Sequence, residues 1–149
     1  MLILQSNEMC EEQEMGLRDS LQGLKIALVE DDPWVQNSLR LYFQYNGCHL
    51  EVFGNATLAL DAMENEKFDI IISAYWLPDM DGLTMISRVK KHQPDAFLLL
   101  ITAYPTTGLQ ETAARMGVHE FLPKPLTVSQ LDRALETLNL GDSDAAAGG

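Results

Sequence analysis

Cysteine is scarce in this chain. Of 149 residues only Cys10 and Cys48 carry a thiol. Two isolated cysteines support neither a disulfide framework nor a metal-ligand spacing, and reduced thiols in a cytoplasmic protein fit best. Long apolar stretches are missing as well. No run approaches the roughly 18 residues that a membrane-spanning helix needs. The opening Met1-Leu-Ile-Leu4 has no basic start and soon meets Glu8, Glu11, Glu12 and Glu14, a poor pattern for a secretory leader. Positive charge is sparse: 10 Lys and Arg stand against 22 Asp and Glu, for a net charge of −12. Such a surface repels nucleic-acid phosphates and anionic lipid, so neither direct nucleic-acid binding nor membrane insertion is expected. Basic patches on protein partners stay open. The three histidines, His49, His92 and His119, share no ligand spacing and are expected at the surface or at strand edges. The loop after the first apolar run is acidic and without glycine, which excludes a pyrophosphate-binding dinucleotide unit.

The apolar share of 46% over 149 residues is enough for one domain with one substantial core. Three parts are expected. Residues 1–23 form an acidic extension without a convincing period, with a short helix over Glu8–Leu21 as the alternative. Residues 24–138 form the domain. Residues 139–149, rich in Gly, Ala and Asp, form a flexible tail or the start of a linker.

Inside the domain short apolar strands alternate with amphipathic helices. Strands are expected at Lys25–Val29, His49–Phe53, Asp69–Ser73, Phe97–Ile101 and His119–Leu122. Asp32 caps the first helix, with Pro33 at its first position and Val35, Leu39, Tyr42 and Phe43 on its buried face, and Gly47 stops it. Asn55 caps a helix carrying Ala59, Leu60 and Met63. Further helices run over Thr84–His92, through Leu109, Ala113 and Met116, and from about Thr127 through Leu131, Ala134, Leu135 and Leu138. Five strand–helix units with short connections imply a parallel sheet with helices on both faces, since right-handed crossovers place them there. Phe97–Ile101 is the most apolar strand and is expected at the centre.

Chemistry in such a sheet sits at the carboxyl ends of the strands. Those ends carry Glu30-Asp31-Asp32, then Ala74, then Thr102, then Lys124. Carboxylates at one edge suit Mg²⁺, which prefers hard oxygen ligands. A lysine and a hydroxyl can pair with a phosphoryl group. Each residue also has a plainer role. The acids fit a solvated helix start, Thr102 a turn cap, Phe121 core packing, Lys124 an ordinary surface lysine and Trp34 a partly exposed helix residue.

Five separated signatures occur in order: Val-Glu-Asp-Asp-Pro33, Leu-Pro-Asp-Met-Asp-Gly82, Ile-Thr-Ala103, Phe121, and Lys124-Pro125 after Leu-Pro. Residues 24–138 thereby resemble the receiver domain of bacterial two-component response regulators, the phosphoproteins of phosphorelay signal transduction. The resemblance implies a flavodoxin-like, CheY-like α/β fold with a five-stranded parallel sheet of order 2-1-3-4-5. It also implies roles. Asp31 would bind Mg²⁺ directly, Glu30 would orient the metal through water, and the Trp76 backbone carbonyl would complete the protein ligands. Lys124 would contact the phosphoryl group, Thr102 and Phe121 would form the switching pair, and the Lys124–Pro125 bond would be cis. The partners implied are a sensor histidine kinase or phosphotransfer protein and a downstream output protein or domain, for a monomer or weak homodimer.

One position departs from the family. Ala74 falls four residues before Pro78, where the family has its phosphoacceptor aspartate. A methyl group supplies neither the nucleophilic oxygen nor a metal ligand. Ser73 is a poor substitute because strand alternation turns it to the other side. Asp81 is expected as a turn former before Gly82. The expectation is therefore a non-enzymatic receiver without a stable aspartyl phosphate, with weak or absent Mg²⁺ binding, acting by protein–protein interaction. Two origins fit: a substitution in an otherwise intact receiver, or a natural pseudo-receiver working as a phosphorylation-independent interaction module. A Mg²⁺-dependent phosphohydrolase built on Asp79 is the less favoured reading, since Tyr-Trp-Leu-Pro intervenes between strand and motif.

Overall fold

In the computed structural model, the structure describes residues 19–148, with side chains described for residues 19–138. Cys10 and most of the acidic extension lie outside the described residues. Five strands form one parallel sheet in the order β2-β1-β3-β4-β5. They are β1 (Lys25–Val29), β2 (His49–Phe53), β3 (Ile70–Ala74), β4 (Phe97–Thr102) and β5 (Glu120–Pro123). The five helices that follow them are α1 (Pro33–Tyr45), α2 (Ala56–Met63), α3 (Gly82–His92), α4 (Thr107–Arg115) and α5 (Val128–Gly148). The architecture is the expected flavodoxin-like one. No described helix is long and apolar enough to cross a membrane.

Burial follows sheet position. Every residue of β3 and β4 is buried, as continuous apolar runs must be when helices cover both faces. The edge strands β2 and β5 are mostly half-buried. Alternation divides the core in two. Ile26, Leu28, Ile72, Leu99 and Ile101 pack with Leu39 and Phe43 of α1 and with Leu131 and Leu135 of α5. Ala27, Val29, Ile71, Leu98 and Leu100 pack on the other face, with Ala59 of α2, Ile86 of α3 and Ala113 of α4.

The helix starts are capped locally. Asp32 accepts from the Trp34 N–H, Asn55 from Leu58, and Thr106 from Leu109. Before α5, Thr127 accepts from the Gln130 N–H at 3.1 Å while Gln130 Oε1 accepts from the Thr127 N–H at 3.0 Å, a reciprocal capping box. Gly47 closes α1 at φ +73°, where a side chain would be strained.

Two boundaries differ from expectation. The helix expected from Thr84 begins at Gly82, because Asp81 is its N-cap rather than a simple turn former: it accepts from the Thr84 N–H and hydroxyl, each at 2.9 Å. The strands β3 and β5 sit one residue later than their apolar runs, β3 because Ala74 still pairs with Ile101. The helical backbone of α5 runs through Gly148, past Leu138, the last residue of its apolar period.

Candidate functional site at the carboxyl edge of the sheet

Every strand of a parallel sheet ends at the same rim, so the residues that follow β1, β3, β4 and β5 come together without being near in sequence. Glu30 follows β1 and is buried to 0% exposure. Its backbone N–H donates to the Phe53 carbonyl at 3.0 Å, and its carbonyl accepts from Gln36 Nε2 at 2.6 Å. Lys124 follows β5, its backbone N–H donating to the Thr102 carbonyl at 2.8 Å and its peptide bond to Pro125 cis.

The ammonium of Lys124 donates to Glu30 Oε1 at 2.6 Å. Strands β3 and β4 lie between β1 and β5, and neighbouring strands are about 4.8 Å apart. The two side chains therefore meet by reaching across the ends of β3 and β4, the strands that finish in Ala74 and Thr102. Burial raises the Glu30 pKa above 4.5, more than the pairing with Lys124 lowers it. Its second oxygen, Oε2, is buried with no hydrogen-bond partner.

Ala74 is 2% exposed, its methyl in the core shared with α1 and α5. The preceding Ser73 is buried, and its hydroxyl donates to the Ala74 carbonyl at 2.8 Å. Gly82 packs on that same carbonyl: a Cβ added there would lie 2.3 Å from Ala74 O. The loop from Tyr75 is drawn shut by the Gly82 N–H, which donates to the Tyr75 carbonyl at 2.6 Å.

Thr102 is buried, and its hydroxyl oxygen accepts from the Tyr104 N–H at 3.1 Å, so it does cap the next turn. Phe121 is half-buried against the core beneath α2, α3 and α4. Asp31 is exposed, and Asp32 is committed to its cap. Trp76 is exposed, its ring edge-on to Tyr75 at 5.1 Å, and it forms an isolated antiparallel bridge with Asp81. A cleft of about 340 Å³ lies beside the rim, lined by Asp32, Trp34, Val35, Ser38, Lys124 and Pro125 among others.

Two arrangements were not legible in the sequence. One is the Glu30–Lys124 pair itself. The other is Asp79, whose carboxylate accepts from the Ala56 N–H at 3.0 Å, and from the Thr57 N–H at 2.8 Å and hydroxyl at 2.6 Å. These donors, the Thr57 hydroxyl first, hold the Asp79 pKa down at about 2. Asp79 thus fastens the β3–α3 loop to the start of α2.

A divalent cation of the Mg²⁺ type needs several hard oxygens. Glu30 Oε2 is an orphaned buried acceptor of that kind, and Asp31 is its neighbour in sequence. Glu30 Oε1 is already engaged by an ammonium, and Ala74 adds no oxygen. Among the described residues no three His, Cys, Asp or Glu side chains are grouped to hold a metal ion. The side chains alone do not fit a closed metal site.

A sequence profile of the response regulator receiver domain matches residues 26–136. The transcriptional activator protein PfeR of Pseudomonas aeruginosa is 28% identical over 119 residues, which are 80% of this chain and 39% of that protein. The chain thus matches well under half of that relative. The receiver domain protein (CheY-like) from Methanospirillum hungatei superposes with a TM-score of 0.75 at 23% identity, over 86% of this chain and all of the other. The receiver domain of sensor histidine kinase PA1611 from Pseudomonas aeruginosa, which has a magnesium ion coordinated in its active-site cleft, superposes with a TM-score of 0.70. It is 24% identical and covers 77% of this chain and 96% of its own. At these identities the two structures speak for the fold.

Proposed function

Because the chain belongs to the response regulator receiver domain family of two-component systems, we propose that it is a receiver whose phosphoacceptor position is held by Ala74 and which signals by protein contact without being phosphorylated. The observation that carries this reading is the rim charge arrangement. Lys124, expected to meet a phosphoryl group, is instead neutralised by Glu30 across the end of β3, and β3 ends in a methyl group. No carboxylate at position 74 is available to attack a phosphohistidine.

Glu30, Asp31 and the Trp76 carbonyl would be the ligands of Mg²⁺, which in a receiver supplies charge neutralisation at the phosphoryl oxygens. With one Glu30 oxygen tied to Lys124 and none at residue 74, binding is expected to be weak. Thr102 and Phe121 are the switching pair of this reading, held in the unphosphorylated arrangement. The partners are a sensor histidine kinase or phosphotransfer protein and an output protein or domain, in the cytoplasm. The phosphohydrolase reading loses support from Asp79, whose oxygens are spent on the start of α2.

The test is intact-mass measurement after incubation with acetyl phosphate and Mg²⁺. The chain as it stands is expected to gain nothing, Ala74→Asp to gain one phosphoryl group, and Ala74→Asp with Asp31→Asn to lose it again. A phosphoryl adduct on the unsubstituted chain overturns the reading. So does a folded Ala74→Asp variant that stays unmodified.

A further inference from the structure

Helix α1 carries an apolar seam that the fold does not use. Trp34 is 80% exposed, Leu41 69% and Tyr45 57%, and Ser38 lies between them half-buried. Their spacing is four, three and four residues. At 3.6 residues per turn the four side chains fall within an arc of about 60°, in one line about 16 Å long. The core-facing residues Val35, Leu39, Tyr42 and Phe43 lie to one side of it. Such spacing is that of a helix-pairing seam, not of a scattered surface.

Charge narrows the occupant. In a chain of net charge −12, α1 contains no Asp or Glu and a single basic residue, Arg40. The nearest carboxylates, Asp31 and Asp32, stand together just before its N-terminus. A second copy can therefore lay its own α1 on this seam without carboxylate facing carboxylate, provided the two helices run antiparallel. A parallel pair would bring four carboxylates to one end. Antiparallel pairing also sets each helix's positive N-terminus against its partner's negative C-terminus. In the register centred between Leu39 and Arg40, Trp34 faces Tyr45 of the other copy and Ser38 faces Leu41. Large side chains then meet at the ends and a small one meets a large one in the middle. A self-complementary patch of this kind is what a two-fold interface requires.

We propose that two copies of this chain associate through an antiparallel α1–α1 contact built on Trp34, Ser38, Leu41 and Tyr45. The contact is short, so the dimer is weak and forms at high protein concentration. It does not depend on the state of residue 74.

Sedimentation equilibrium of the full chain tests it, with loading from roughly 10 μM to 1 mM. The average mass is expected to rise toward that of a dimer over this range. Leu41→Glu, at an exposed position where folding is not at stake, is expected to weaken association by about tenfold or more. Arg88→Glu, on the exposed face of α3, is expected to leave it unchanged. A chain that remains monomeric at every concentration overturns the proposal and leaves the seam to a partner of another sequence. Association that survives Leu41→Glu, or that is lost equally with Arg88→Glu, also overturns it.

Discussion

Removing the Lys124 ammonium should cost this domain more than any loss of a surface charge. Glu30 has 0% exposure, one oxygen on Lys124 and the other unpartnered. Lys124→Met keeps the volume of the side chain and deletes the charge, so a buried carboxylate is left with no counter-charge. Breaking a buried pair from one side typically costs about 3–5 kcal/mol, and the lower figure applies because the Lys124 side chain is 23% exposed and the rim admits water. A loss of about 3 kcal/mol would lower Tm by roughly 10 °C for a domain of this size. Glu30→Gln should cost only about 1 kcal/mol, because an amide keeps an acceptor for the ammonium. The double variant should come back to within about 1 kcal/mol of the parent, since no buried charge remains. The pH dependence has a definite sign. Burial already raises the Glu30 pKa above 4.5, and deleting Lys124 raises it further. The folded state then holds a proton that the unfolded state releases, so stability is greatest below about 4.5 and falls as pH rises through the folded value. The deficit of Lys124→Met, measured against the parent at each pH, should be full at neutral pH and shrink toward 4.5. Urea unfolding followed by far-UV circular dichroism suits the assay, because Trp34 and Trp76 are both exposed and report poorly on the core. A cost below about 1 kcal/mol at neutral pH, or one that does not change with pH, would refute the buried-pair account.

Three other perturbations test separate parts of the rim and sheet. Gly82→Ala gains up to about 1 kcal/mol of helix propensity but drives a Cβ to 2.3 Å from the Ala74 carbonyl. Because that contact is backbone and cannot swing away, a net loss of about 2 kcal/mol in chemical denaturation is expected; a stabilised variant would show that the two segments separate freely. Asp79→Ala removes an acceptor from two N–H groups and a hydroxyl at the start of α2, and should cost about 1 kcal/mol with faster amide exchange at Ala56 and Thr57; unchanged exchange there would count against the tether. His119 Nδ1 accepts from the Leu98 N–H at 3.0 Å, its ring stacked on Phe97, and burial and Lys90 lower its pKa below 6.5. Stability from this bond is present above about 6.5 and lost as pH falls through the folded value, a decline that His119→Gln should lack in a pH series of melts.

Local patterning accounts for most of the fold. The apolar runs Lys25–Val29 and His49–Phe53 are strands over those same residues. Asp32, Asn55 and Thr127 mark helix starts because a short polar side chain can satisfy the N–H groups two or three residues ahead. Strand order follows from strand–helix alternation and from the motif resemblance, and those same motifs pick out the rim residues. All of this rests on interactions between near neighbours or on repeats a few residues long. The remainder depends on which strand ends lie side by side. Glu30 and Lys124 meet from 94 residues apart, and Asp79 reaches the start of α2 from 23 residues away. Gly82 owes its identity to the carbonyl of a strand eight residues earlier, not to a positive φ. No periodicity encodes these pairings. They arise when the β2-β1-β3-β4-β5 order brings the loop ends within a few ångströms, so charge neutralisation at the rim is a property of the folded sheet, whereas the strands that build it are written in the chain.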